Sequence, residues 1–587
     1  MGNLRKTQQH LLPVQKTTTE KGHYDIYPAF RLENNKISSG FEQLAFEFSK
    51  YSLVLMDGYQ GVFFEQLRYA LEPFFNSSGL RVQWTDFRLA YLLSEEIETM
   101  TEPFLGGDDP LFGYKTTLTM ADFVDKEKLL KIKTAPGIDL HIIYGPGAAL
   151  YAEKGLLFYT DIPKNEIQFR SRAGSITNLG SEVPCDPKKM YKRSYFVDWV
   201  VLNKHKQEIL PRIDIVADCQ RPNEITWSFG EVIRNGLHHM SRNFFRVRPW
   251  FEPGIWGGNW IKDQIKGLNE EVPNYGWSFE LIVPENGILF ESSGFLLEIS
   301  FDCLMFLEAA AVLGDAYDQF GNEFPIRFDF LDTVDGGNLS VQCHPQTEYI
   351  QKHFNENFTQ EECYYILDNK PGSVVYLGFQ EDIEPISFQQ ALTNSFIQAR
   401  ALDIEQFVRK LPSSKHDFFL IPPGTIHGSG KDNLVLEISS TPYIYTFKMY
   451  DWLRPDLDGK PRPLNIKRGM ENLCFDRKGT YVDENLVSKP VLLESNEAYS
   501  IYHLPTHSKH SYDVHRLHLK SRAKLTTGNK AMVMNLVEGS CITLITENGL
   551  EQTFNYAETF VIPAAAGHFT LLNEDELEAV IVMAFIK

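Results

Sequence analysis

Near residue 245 the hydrophobic period of this chain changes, and that change limits its fold more than any other feature. Before it, short apolar runs alternate with segments of helical spacing. SLVLMDGY (52–59) reads as a buried strand, and in QGVFFEQLRYALEPFF after it Phe63, Leu67, Leu71 and Phe74 share one helical face. LHIIYGPG, GLLFYTDIP (155–163) and RIDIVAD (212–218) are further strands. Strands interleaved with helices predict an α/β layer. After the change comes FFRVRPWFEPGIWGGNWIKDQIKGL, dense in Trp, Gly and Pro, and then many short strands divided by turns. SFELIVP, GILFESS, PIRFDFLD, NLSVQCHP, CYYIL, SVVYLGF, FFLIPPG, NLVLEISS and YIYTFKMYDW form the series, which predicts a β-sandwich or barrel.

A chain of 587 residues exceeds what one hydrophobic core supports. Four segments are expected: a polar tail over 1–30, an α/β domain over 31–243, a mainly-β domain over 244–465 and a second β-barrel over 466–587. A helical insertion is expected at 386–411, within EPISFQQALTNSFIQARALDIEQFVRKL, covering the mouth of the first barrel. The turns PPGTIH (422–427) and PAAAGH (563–568) follow strands of similar character, FFLIP and TFVIP, which suggests one β-plan used twice.

Charge and cysteine content narrow the function. With 77 acidic against 57 basic residues and no long basic run, nucleic acid is an unsuitable partner. An anionic small molecule stays open, because a local basic pocket can sit inside an acidic protein. The seven cysteines include no CxxC pair and are odd in number, so a disulfide scaffold is not expected. The N-terminus lacks an apolar signal region, and no stretch approaches the ~18 apolar residues of a membrane span. A cytoplasmic protein with no membrane partner is the expectation.

In the first half, Asp57-Gly58-Tyr59-Gln60-Gly61-Val62 follows a strand as a phosphate loop would, but lacks the Lys and the hydroxyl residue of GxxxxGK[ST]. The segment resembles a small-molecule kinase whose phosphate loop is missing. A structural or regulatory role is expected for it, with ligand binding and catalysis as the alternatives.

Chemistry concentrates in three separate segments of the second half. In Leu339-Ser340-Val341-Gln342-Cys343-His344, alternation puts Ser340, Gln342 and His344 on one face. A Gln and a His facing the inside of a barrel are costly to bury unless they bind something. Glu362, opening the strand EECYYIL, is the carboxylate aimed inward, with Cys363 facing out; His427 follows the Pro-Gly turn of IPPGTIH. Two imidazoles, a carboxylate and an amide oxygen suit zinc and leave room for a water or substrate.

The motifs IWGGNWI, LSVQCHP, EECYYIL, IPPGTIH with GSG after it, LEISS and YTFKMYDW occur in one order. Over about 245–587 they resemble the short-form class I mannose-6-phosphate isomerases of the cupin superfamily. The resemblance implies jelly-roll cupin barrels, the first with the helical insertion and zinc, the second without metal. It implies Gln342, His344, Glu362 and His427 as ligands of one zinc per chain, and a sugar phosphate as the small-molecule partner. The implied activity is mannose 6-phosphate to fructose 6-phosphate interconversion through an enediolate. Lys448 stands where the family has a catalytic Arg, keeping the charge without the planar fork. Phe358-Thr359-Gln360-Glu361 replaces the family's Gly-Lys-Thr before its Glu.

Glu437 and Glu280 are candidates for the proton-shuttling base, and Lys431, Arg400 and Arg454 are the next cations after Lys448. His568, in a barrel with no QxH strand, is expected to be structural. His238-His239 and the run HLPTHSKHSYDVHRLHL are expected to be ordinary surface histidines on loops. Two alternatives accompany the isomerase: a metal-retaining cupin that binds or senses a sugar phosphate without turnover, and a bifunctional protein whose first domain handles a related phosphate.

Overall fold

The computed structural model describes residues 4–107, 111–455 and 462–587. The chain divides into two compact units whose segments alternate along the sequence. Unit 1 comprises 1–18, 27–240 and 284–308; unit 2 comprises 19–26, 241–283 and 309–587.

Unit 1 is built on a seven-stranded sheet. Its order is Ser38–Ser39, Thr226–Phe229, Ile215–Asp218, Leu156–Asp161, Leu53–Gly58, Leu140–Tyr144 and Val82–Asp86. The last five of these run parallel, and helices such as Phe64–Ser77 and Trp199–Ile209 connect them. The buried apolar runs of Leu53–Gly58 and Leu156–Asp161 are what a parallel strand covered on both faces requires. The α/β expectation matches this region. A small three-stranded sheet, Ala29–Arg31, Gly287–Ser292 and Phe295–Ser300, completes the unit.

That small sheet corrects two expectations. GILFESS, read with the second-half strands, packs in unit 1, so the segment 284–308 leaves the expected 244–465 domain. The described part of the expected 1–30 polar tail, from residue 4, is not a free tail either. Leu12 is buried with Leu289 and Leu296, because an apolar hairpin needs cover and the N-terminal strand supplies it.

Unit 2 is built on β-sheets, with short helices such as Thr347–Phe354 and Thr480–Asn485 between the strands. One six-stranded sheet runs Phe418–Ile421, Glu361–Asn369, Asn433–Ser440, Ile326–Asp332, Trp277–Leu281 and Trp250–Glu252. A five-stranded sheet runs Val408–Pro412, Val374–Phe379, His427–Ser429, Val341–Cys343 and Phe447–Tyr450. Tyr364, Ile366 and Val435 of the first sheet share a core with Val375, Leu377 and Leu411 of the second, so the two layers pack face to face. The helical insertion is shorter than expected. Its helix is Pro385–Gln398, and Val408–Pro412 is a strand paired with Val374–Phe379.

The remaining residues form six-stranded and four-stranded sheets, the strands Tyr499–Leu504, Tyr512–Leu519 and Ala579–Ile586 among them. The His-rich run thus has His503, His515 and His518 on two paired strands, where apolar residues alternate with them, while His507 and His510 lie in the connection between the strands. Among the described residues no helix is long and apolar enough to cross a membrane.

Candidate metal centre

The facing sheets of unit 2 bring three side chains to one point. Val341–Cys343 lies between His427–Ser429 and Phe447–Tyr450, with Gln342 opposite His427 on one side and Lys448 on the other. Lys448, Gln342 and His427 therefore form a row across three strands. His344 is the first residue after its strand, and Glu362 comes from the opposite sheet. The ligand atoms of His344, Glu362 and His427 lie within 4.8 Å of one another, and all three residues are buried.

Backbone carbonyls fix both imidazoles. His344 Nδ1 lies 3.0 Å from the Tyr445 carbonyl and His427 Nδ1 2.9 Å from that of Thr425. A carbonyl can only accept, so each Nδ1 carries the hydrogen and each Nε2 presents a lone pair when the ring is neutral. Both Nε2 atoms stand 2.9 Å from Glu362, one on each carboxylate oxygen. Yet His344 Nε2 and Glu362 Oε1 have no directed hydrogen bond. Lone pairs facing a carboxylate at this distance repel unless positive charge lies between them. The donor set fits a divalent cation, with the Tyr445 and Thr425 carbonyls orienting both rings as metal-bound histidines require.

Burial opposes ionisation of Glu362, but positive charge and hydrogen bonds from His344 and His427 in their protonated form outweigh it and hold its carboxyl well below the usual range. Gln342 receives a hydrogen bond from Ser340 on Oε1 at 3.0 Å and turns Nε2 to His427 Nε2 at 3.4 Å. Its amide orientation is an assignment, and exchanging O and N would aim the oxygen at the cluster.

Neighbouring groups hold the frame. Gln360 donates to Glu362 Oε2 at 3.2 Å while its Oε1 accepts from the Tyr445 amide at 3.0 Å, tying the Glu362 carboxylate to the segment that orients His344. Arg477 donates to the Pro422 and Pro423 carbonyls at 2.8 and 2.7 Å and to Thr425 Oγ1, pinning the turn before His427. Gly424 in that turn has φ +83°, and a Cβ would meet the Asn472 carbonyl oxygen at 2.6 Å, so only Gly serves there. On the opposite edge of Glu362, Tyr512 donates to Cys363 Sγ at 3.2 Å, which places Cys363 outward.

Of the proposed bases, Glu437 shares the face of Glu362. It pairs across strands with Asp329 and Tyr364, and burial, then Asp329 and Glu362, raise its carboxyl well above the usual range. Asp329 is raised in the same way, by burial first and Glu362 next. Glu280 instead receives hydrogen bonds from Tyr24, at 2.6 Å, and from Ser278. Lys448 is half-buried, and its backbone is fixed by Asn465 through bonds of 3.3 and 2.8 Å. Lys431 and Arg400 are exposed, and Arg454 pairs with Asp451 at 2.9 Å. His568 is exposed at the start of His568–Leu572.

Sequence reasoning passed over Asp329, Gln360 and Arg477. Asp329 was within reach, since alternation in IRFDFLD sets Arg327 and Asp329 apart from Phe328 and Phe330. Gln360 and Arg477 act through backbone contacts that no local pattern marks.

Residues 40–242 match a family described as a domain of unknown function (DUF8485). The second half has named relatives. A Bacillus subtilis (strain 168) protein described as probable mannose-6-phosphate isomerase GmuF is 28% identical over 329 residues, 55% of this chain and 95% of that protein. The chain is similar to mannose-6-phosphate isomerases. That of Streptococcus mutans serotype c is 27% identical over 223 residues, 38% of this chain and 65% of its own length. The crystal structure of the Bacillus subtilis mannose 6-phosphate isomerase aligns with TM-score 0.48 and 19% identity, over 59% of this chain and 100% of that one.

Proposed function

We propose that unit 2 is a metal-dependent isomerase that interconverts mannose 6-phosphate and fructose 6-phosphate, with the two-sheet layer acting as a cupin barrel. The observation that carries this is the pair of carbonyl-fixed imidazoles whose Nε2 atoms converge on one carboxylate without directed hydrogen bonds. His344, Glu362 and His427, with Gln342 assisting, would hold one zinc. Its chemistry when bound is Lewis-acid stabilisation of the oxyanion that develops on the sugar.

The chain's own residues supply the rest. Isomerisation moves a proton between C1 and C2, and Glu437 is the carboxyl placed to carry it, because it lies on the ligand face while Glu280 is engaged by Tyr24 and Ser278. Lys448, in register with Gln342, supplies positive charge to the enediolate or to the phosphate. A coupled assay with mannose 6-phosphate on the full chain tests the reading, and a chelator should abolish the signal. Zinc-replete protein without turnover would put the sugar-phosphate-binding cupin in its place.

Unit 1 has the strand order of a doubly wound sheet, which supports the kinase-like reading of its fold alone. We infer that it does not bind phosphate at the turn after Leu53–Gly58. Asp57 accepts the amides of Gly58 and, from the neighbouring turn after Leu140–Tyr144, of Gly147 and Ala149 at 2.6, 3.0 and 2.8 Å, so a buried carboxylate already takes these donors and would repel a phosphate beside it. Calorimetric titration with ATP and magnesium should show no heat; saturable binding lost in a Tyr59→Ala variant would restore the bifunctional alternative.

A further inference from the structure

The C-terminal sheets hold a second convergence of metal-ligating side chains, outside the site just described. His503 on Tyr499–Leu504 lies directly opposite His515 on Tyr512–Leu519. Asp513, two residues before His515, shares its face by strand alternation. His503 Nε2 is 2.9 and 3.0 Å from the two Asp513 oxygens, and the two imidazole centroids are 5.5 Å apart. One ligand atom from each residue falls within 4.8 Å of the others.

The set is partly organised. Asp513 Oδ1 is held by Thr506 Oγ1 at 3.2 Å and by the Val514 amide at 3.1 Å. His515 packs edge-on against Phe585, with ring centroids 4.9 Å apart, which fixes the side of the sheet to which its imidazole belongs. All three residues are half-buried, so an ion can reach them and water can complete its coordination.

We propose that His503, Asp513 and His515 form a second, solvent-accessible site for a borderline divalent cation of the zinc class. Two imidazoles and a carboxylate match such an ion better than calcium or magnesium, which prefer oxygen donors throughout. Tetrahedral zinc with bonds of about 2.0–2.1 Å sets its ligand atoms about 3.4 Å apart, so a small inward turn of the rings closes the set. Both strands belong to one sheet, and an ion across them clamps their pairing.

The competing explanation is a plain His503–Asp513 ion pair, which leaves His515 without a part. His515 therefore decides the test. Full-length protein is stripped of metal, equilibrated with zinc alone, and its metal counted per chain. Wild type should hold two ions, and His515→Gln and His503→Gln/His515→Gln should each hold one. A His344→Gln/His427→Gln protein should also keep one, so the two sites are separated whatever the isomerase assay shows. Cobalt used in place of zinc should give a visible absorption band that survives His344→Gln/His427→Gln and disappears on adding His515→Gln. If His515→Gln holds as much zinc as wild type, or wild type holds no ion beyond the one removed with His344 and His427, the second site is overturned.

Discussion

Both units bury carboxylates beside positive or hydrogen-bonding partners, and they do it in opposite ways. In unit 1 the strand-end carboxylates are fully engaged. Asp57 has its three amides and His205 Nε2 at 2.8 Å; Asp161 has Lys206, the Ser300 amide and the Ser300 hydroxyl; Asp218 has Arg221 and the Glu298 amide. In unit 2, Glu362 faces two imidazoles whose other nitrogens are already committed, and directed bonds are missing where the three groups meet. A buried polar network with every member satisfied holds a fold together, whereas one that converges on orphaned atoms is built for something else. The comparison separates a scaffold from a site inside one chain.

The largest effect that could break this contrast is loss of the orphaned cluster. His344→Ala with His427→Ala should remove one of the two bound ions and lower turnover by ~10³ or more, given what single electrostatic donors contribute; elemental analysis and the coupled assay check it. Retained zinc at the His344 site would end the comparison. Next comes the satisfied side. Asp57→Ala strands His205 and three amides, and should cost about 3–5 kcal/mol of unit 1 stability while leaving zinc content unchanged. Denaturant unfolding followed by unit 1 tryptophan signals reads it.

Lys448→Ala should lower kcat and kcat/KM together by about 10²–10³ if the ammonium stabilises the enediolate. It should raise KM alone if the group grips phosphate, and no change in either constant would move Lys448 out of the site. Gln360→Ala sharpens the frame argument: it should weaken metal affinity by about 10–100-fold, as loss of an outer-shell partner does.

The effect at any one pH near neutrality is smallest for a buried histidine. Burial, aided by the charges of His507 and Lys587, holds the buried His510 imidazole down to about 3. The folded state therefore binds fewer protons there than the unfolded chain between about pH 3 and the ordinary imidazole value. Stability of unit 2 should fall as pH drops through that window, by at most about 1.4 kcal/mol per pH unit from this group. His510→Phe should flatten that acid limb in a series of urea midpoints; an unchanged slope would place the acid sensitivity elsewhere.

Much of this was legible in the sequence where pattern and chemistry coincide. The parallel strands of unit 1 announce themselves as apolar runs, and Gln342, His344, Glu362 and His427 sit in strand-turn frames that fix which way each side chain points. What escaped depends on contacts between distant segments. Nothing local in GILFESS says that its partner is Ala29–Arg31, because an apolar hairpin reads alike against any sheet. The histidines of HLPTHSKHSYDVHRLHL looked irregular along the sequence, but two strands in register place His503 against His515.

The hairpin of unit 1 that comes from 284–308 has a consequence for how the protein is made. Ser300 and Glu298 supply the amides that Asp161 and Asp218 require, so those contacts of unit 1 stay unmade until the ribosome has passed the segment 284–308. At about 5–20 residues per second, the nascent chain waits seconds after residue 240 with those carboxylates unmatched. During that interval the first segment of unit 2, 241–283, is synthesised. The two units cannot mature one after the other as beads on a string; each is finished only by sequence that the other interrupts. For the same reason a cut at 243 yields no natural half, since the downstream piece would carry Leu289, Phe290 and Leu296 with no sheet to cover them.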